Sequence, residues 1–145
     1  MSEKIVVGLD GSGSGARAVA YAKKLGALIG SCELILVYVV EWSPFSFQTP
    51  EENEERHKRR QEEIKQAMDR VVTPAVDSLK KEGVETRGVV RHGDVADTLE
   101  RVAVEEKAVQ IVVARASETG FASRIFGSST ANLVMNASVP VTVVS

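Results

Sequence analysis

Apolar residues in this chain fall into two kinds of stretch: short unbroken runs, and longer segments where they recur every third or fourth position. Lys4–Leu9 (KIVVGL) and Leu34–Val40 (LILVYVV) are of the first kind. Such runs read as strands buried on both faces, in a sheet covered by helices. Between them, Ala18, Ala22, Leu25 and Ile29 form one helical stripe from about Ser14 to Ile29, and Gly30 suits its C-cap. Two buried strands joined by a helix make a right-handed βαβ unit. A long helix begins at Glu51, charged all round in EENEERHKRRQEE, then apolar at Ile64, Ala67, Met68, Val71, Val72, Ala75, Val76 and Leu79. Pro74 should kink or break it, with Thr73 capping a new start, and Gly83 should end it. Val84–Arg91 reads as a third strand, partly alternating and therefore near an edge. Asp94 caps a helix carrying Val95, Leu99, Val102 and Ala103. Val109–Arg115 is the fourth strand, Gly127–Ala137 the last helix, and Val139–Val144 the fifth strand, where Pro140 suits an edge position. This alternation predicts a doubly wound, mostly parallel α/β sheet, in one domain over residues 1–145.

Composition narrows the function more than the fold. A net charge of -2 and a pI near 5.8 exclude the basic footprint of a nucleic-acid binder. The one cysteine, Cys32, rules out an intramolecular disulfide and argues against a cysteine zinc site; heading an apolar run, it reads as a buried, inert thiol. No apolar stretch is long enough for a membrane span, and MSEKIVVGLD lacks the features of a signal peptide, so the cytoplasm is the expected location. His57 lies in the charged helix and His92 in a turn beside Gly93. Neither has a nucleophile or metal cluster nearby, so no catalytic residue and no metal are expected. Trp42–Phe47 (WSPFSF) reads as packing or a dimer contact, with a lid over the site or a partner surface as the alternative.

Ligands of doubly wound sheets sit beyond the carboxyl ends of the strands, where strand order reverses. With the first and fourth strands as central neighbours, the turn Leu9–Ser12, the strand end Tyr38–Val40 and the segment Ala114–Ser129 meet there. Backbone at a strand end can pair with a purine edge, and Asp10 can accept from ribose hydroxyls. The N–H groups at the helix start Gly127-Ser128-Ser129 can hold phosphate. The same residues have simpler readings: Asp10 as a turn residue bonding its own backbone, and the serines as a helix cap.

KIVVGLDGS, LILVYVVE, RHGDVADTL and the tail from Val109 to Ser145 together resemble the universal stress protein family over essentially the whole chain. The resemblance implies a five-stranded parallel sheet in the order 3-2-1-4-5, with helices on both faces. It also implies a homodimer through the last strand, Val139–Val144, where Val139, Val141 and Val143 alternate along an edge. One branch of the family binds ATP through a loop G-x2-G-x9-G-[ST]; the other lacks that loop. Here the pattern is A-x2-S-x9-G-S, with Ala114 and Ser117 in place of the first two glycines and Gly127 and Ser128 matching. Asp10 falls at the family's ribose-contacting acid, and Val39 where a main-chain group meets the adenine. The implied role is a small cytoplasmic stress-response protein that binds ATP or AMP through Asp10, Val39, Ala114, Ser117, Gly127, Ser128 and Ser129, without catalysis. A nucleotide-free dimeric interaction module is the alternative, motivated by Ala114 and Ser117. A dinucleotide-binding enzyme ranks below both. Gly11–Ala16 fits G-x-G-x-x-A with Glu41 as the ribose acid, but Asp10 would repel a pyrophosphate.

Overall fold

The computed structural model describes residues 2–9, 13–41, 50–115 and 130–145. In chain order the elements are β1 (Glu3–Leu9), α1 (Gly13–Ile29), β2 (Cys32–Glu41), α2 (Pro50–Ala67), a π-helical turn (Met68–Val72), α3 (Thr73–Lys81), β3 (Thr86–Gly93), α4 (Val95–Glu106), β4 (Gln110–Ala114) and β5 (Val141–Val144). Residues 130–136 are also helical and are labelled α5. All strand pairs are parallel, in the order β3-β2-β1-β4-β5. This is the sheet the alternation and the resemblance imply.

The unbroken apolar runs form the middle of the sheet. Ile5, Val6, Val7, Ile35, Leu36, Val37, Ile111 and Val112 are all inaccessible to solvent. Successive side chains point to opposite faces of a strand, so each run feeds two cores. Ile5, Val7, Leu34, Leu36 and Val112 pack with Ala18 and Ala22 of α1, Val72 of the π turn, and Val76 and Leu79 of α3. Val6, Ile35, Val37, Ile111 and Val113 pack with Leu99, Val102 and Ala103 of α4 and Leu133 of α5. Helices therefore cover both faces.

The caps follow the sequence closely. Gly30 and Gly83 take φ of 101° and 83°, the left-handed conformation that favours glycine after a helix. The Asp94 carboxylate accepts from the Asp97 N–H at 3.0 Å, as expected of an N-cap.

Three expectations need correction. Pro74 does not break the long helix, and Thr73 does not cap a new one: Thr73 is itself helical, and no side-chain cap bond forms there. Instead the Thr73 N–H reaches back five residues to the Met68 carbonyl. The wider π turn takes up the register change that Pro74 imposes by lacking an N–H. The third strand starts two residues later than Val84 and runs to Gly93, so His92 lies in a strand opposite Val40, not in a turn. Its Nε2 is 3.7 Å from the Glu63 carboxylate of α2. The fifth strand begins at Val141; Pro140 precedes it, and its carbonyl accepts from the Ile111 N–H at 2.9 Å.

Candidate functional site

Strand order reverses at β1, which has β2 on one side and β4 on the other. Two features of the ladder open the carboxyl end there. Pairing between β1 and β4 stops at Val7 and Val112, although β1 continues to Leu9 and β4 to Ala114. On the other side β2 outruns β1: Leu9 lies opposite Tyr38, while β2 continues to Glu41, paired among the described residues only with β3.

The direction of the β2 backbone follows from the hydrogen bonds at its start. The Glu3 N–H donates to the Ser31 carbonyl at 3.0 Å, and the Leu34 N–H to the Glu85 carbonyl at 2.9 Å. In a parallel strand backbone groups alternate between the two neighbours, so odd-numbered residues of β2 face β1 and even-numbered ones face β3. The ladder brings the Val39 N–H to the Leu9 carbonyl. The Val39 carbonyl then turns to the β1 side of β2, beyond Leu9, the last described residue of that strand. The Val39 side chain leans on the α4 face of the sheet.

Ala114, aligned with a family loop glycine, is the last residue of β4 and lies opposite Val144. Its side chain is 3% exposed and shares the core with Ala18 and Ala22 of α1. Its methyl therefore points into the core, and Lys107 is the only non-glycine residue with positive φ among those described. Asp10, Ser117, Gly127, Ser128 and Ser129 lie outside the described residues, as does Trp42–Phe47. The structure thus brings Val39 and Ala114 to the carboxyl end of the sheet on either side of β1.

One residue at this end escaped the sequence reading. Arg17 of α1 donates from Nη2 to the carbonyl of Arg115, the first residue after β4. The sequence offered no signal for it, because its partner is a backbone carbonyl.

The opposite end of the sheet holds a different charge pattern. A recess of about 590 Å³ is lined by Ser2, Lys4, Glu33, Glu85, Arg87 and Glu106. Four of its five charges are paired: Arg87 donates to both oxygens of Glu106, at 3.1 and 2.5 Å, and to Glu33 at 3.2 Å, and Lys4 reaches Glu106 at 3.5 Å. This is a clasp tying β1, β2, β3 and α4. The Arg87 hydrogen bond, followed by the charges of Arg87 and Lys4, holds the Glu106 carboxyl below its ordinary 4.5. A lowered folded-state value stabilises above the unfolded value and is lost as pH falls through the folded one. Arg87→Met is therefore expected to cost on the order of 1 kcal/mol at neutral pH, solvent screening the half-exposed guanidinium. The cost should shrink as pH drops below about 4.5, the ordinary carboxyl value. Urea melts of both proteins at pH 7 and pH 3 check this; an equal gap at both would refute it.

Among the described residues no group of three or more His, Cys, Asp or Glu side chains is placed to hold a metal. Cys32 is half-buried, and burial, followed by neighbouring glutamates, pushes its thiol up, away from reactivity. No described helix is long and apolar enough to cross a membrane.

The model of the universal stress protein family matches residues 1–145. The chain belongs to the universal stress protein family. Among curated proteins none matches. Among solved structures, universal stress protein UspA from Lactobacillus plantarum is 23% identical with a TM-score of 0.79, over 99% of this chain and 97% of that one. A universal stress protein in complex with cAMP is 25% identical with a TM-score of 0.69, over 99% and 96%. A family member from Arabidopsis thaliana with AMP bound is 17% identical with a TM-score of 0.65, over 98% and 90%. The first and third likenesses speak for the fold alone.

Proposed function

We propose that this universal stress protein binds an adenine nucleotide in the crevice between the carboxyl ends of β2, β1 and β4, and acts by binding, not catalysis, in a cytoplasmic stress response. The observation that carries the reading is the Val39 carbonyl, held past the end of β1 where β1 and β4 have parted. It is an acceptor in position for the exocyclic amine of adenine. Asp10 follows Leu9 directly and would take the ribose. Gly127, Ser128 and Ser129 would take the phosphates, with Ser117 as a further donor. The cAMP and AMP carried by the two relatives support the ligand class.

Ala114 does not oppose this reading. The nucleotide-free alternative takes support from glycines replaced where a loop needs positive φ, and Ala114 is an extended strand residue with its methyl in the core. Calorimetric titration with ATP, AMP and cAMP is expected to give saturable heat. No heat at millimolar nucleotide would overturn the proposal.

The active unit in this reading is a homodimer through β5. Among the described residues β5 pairs only with β4 and forms the edge of the sheet. Val143 is 41% exposed, and Val134 and Met135 of α5 are 52% and 80% exposed. An open edge flanked by apolar side chains invites strand pairing with a second copy. Val143→Lys should shift sedimentation from dimer to monomer at micromolar concentration, and a wild-type protein that sediments only as monomer would refute the dimer.

A further inference from the structure

Arg17 lies one turn into α1, at the fifth residue of the helix. Its guanidinium reaches across to the carbonyl of Arg115. The N–H of the same residue donates to the Val144 carbonyl at 2.6 Å. Both backbone groups of the first residue beyond β4 are thus fixed, one by the edge strand and the other by a helix 98 residues away in sequence. The Nε of Arg17 is buried and has no hydrogen-bond partner among the described residues. On a guanidinium the Nε–H and one Nη2 hydrogen lie side by side in a rigid fork. Among the described residues that edge of Arg17 is therefore only half used.

We propose that Arg17 is a positioning residue: it fixes where the chain leaves β4 and, through that, how tightly this end of the crevice holds the phosphates of a nucleotide. The second half rests on the nucleotide reading above; the first half does not. A clamp on the backbone at the exit of β4 acts on whatever the segment after Ala114 holds. It leaves alone the base-reading backbone of β2, on the other side of β1. Its effect should therefore grow with the number of phosphates and vanish for the nucleoside.

The test uses Arg17→Met, which keeps the apolar stem and removes every donor, and Arg17→Lys, which keeps the charge and one kind of donor. Trypsin cleavage after Arg115, without nucleotide, is measured against cleavage after Arg59 in α2 as an internal reference for global stability. Arg17→Met should speed the first relative to the second by about fivefold through loss of local protection, and Arg17→Lys should fall between it and wild type. An unchanged ratio in both variants overturns the clamp. In calorimetry, Arg17→Met should weaken ATP by about tenfold, AMP by about threefold and adenosine not at all, as expected when charge-assisted anchoring is lost. Equal losses for all three ligands overturn the phosphate half. If wild type binds none of the three while cleavage after Arg115 still accelerates, the nucleotide reading falls and the clamp stands. Should Arg17→Met fail to fold, Arg17→Lys decides: wild-type cleavage and wild-type ATP affinity together overturn the proposal.

Discussion

Gly88→Ala is expected to destabilise the fold by roughly 3 kcal/mol, lowering Tm by about 10 °C for a chain of this length. Gly88 lies in β3 opposite Leu36, under the π turn. A Cβ at this position would stand 2.3 Å from Val72 Cγ1 and 3.2 Å from Val76 Cγ2. Neither neighbour can swing away easily. Val72 is β-branched, completely buried and helical, which leaves its χ1 little choice. The helix must therefore move off the sheet, and with it the packing of Val76 and Leu79 on that face. The test is a thermal or urea melt of Gly88→Ala, Val72→Ala and the double variant. Val72→Ala alone leaves a cavity and should cost about 1–3 kcal/mol. In the double variant the methyl at position 88 partly fills that cavity, so the double should be clearly more stable than the sum of the singles implies. Strict additivity, or a Gly88→Ala protein melting within about 2 °C of wild type, would mean that the β3 glycine does not set this contact.

That contact marks where sequence stopped being legible. The central strands could be read because a strand buried on both faces has no room for polar alternation, and Ile5–Val7, Leu34–Val37 and Ile111–Val113 have none. The small-residue stripe of α1 and the caps at Gly30, Gly83 and Asp94 were equally local. The π turn was not, because it is a compromise between Pro74 and the need to set Val72 on Gly88, a residue in another element. At the candidate site the choice of Val39 was legible only by resemblance. Which of its backbone groups faces the crevice depends on how far β2 outruns β1, a property of two strands in register. Ala114 was legible as part of the fourth strand, Val109–Arg115, although the family motif begins there. That its methyl lies under α1 is decided by strand parity. Arg17 was invisible for the plainest reason: its partner is a backbone carbonyl, which no side-chain pattern announces.

The crevice is expected to prefer adenine to guanine nucleotides by about 10- to 100-fold. The preference follows from the Val39 carbonyl, which can only accept. The 6-position of adenine carries an amine that donates to it. Guanine and hypoxanthine carry an oxygen at the same place, so two lone-pair-bearing atoms would meet in a site that water leaves as the ligand enters. An unmet buried polar group costs about 1–3 kcal/mol, which is the range of affinity quoted. Mutation cannot delete a backbone carbonyl, so the ligand has to be varied. AMP, GMP, IMP and N6,N6-dimethyl-AMP share ribose and phosphate and differ at the 6-position. AMP should bind and the other three should be weaker by similar factors, because each lacks the 6-position donor. The phosphate and ribose contacts are the same in all four, so a difference among them reports the base alone. If dimethyl-AMP binds as tightly as AMP, the amine is not read by Val39 and the base must sit elsewhere. If GMP binds as tightly as AMP, affinity comes from the phosphate end, and the carbonyl past the end of β1 faces solvent in the complex.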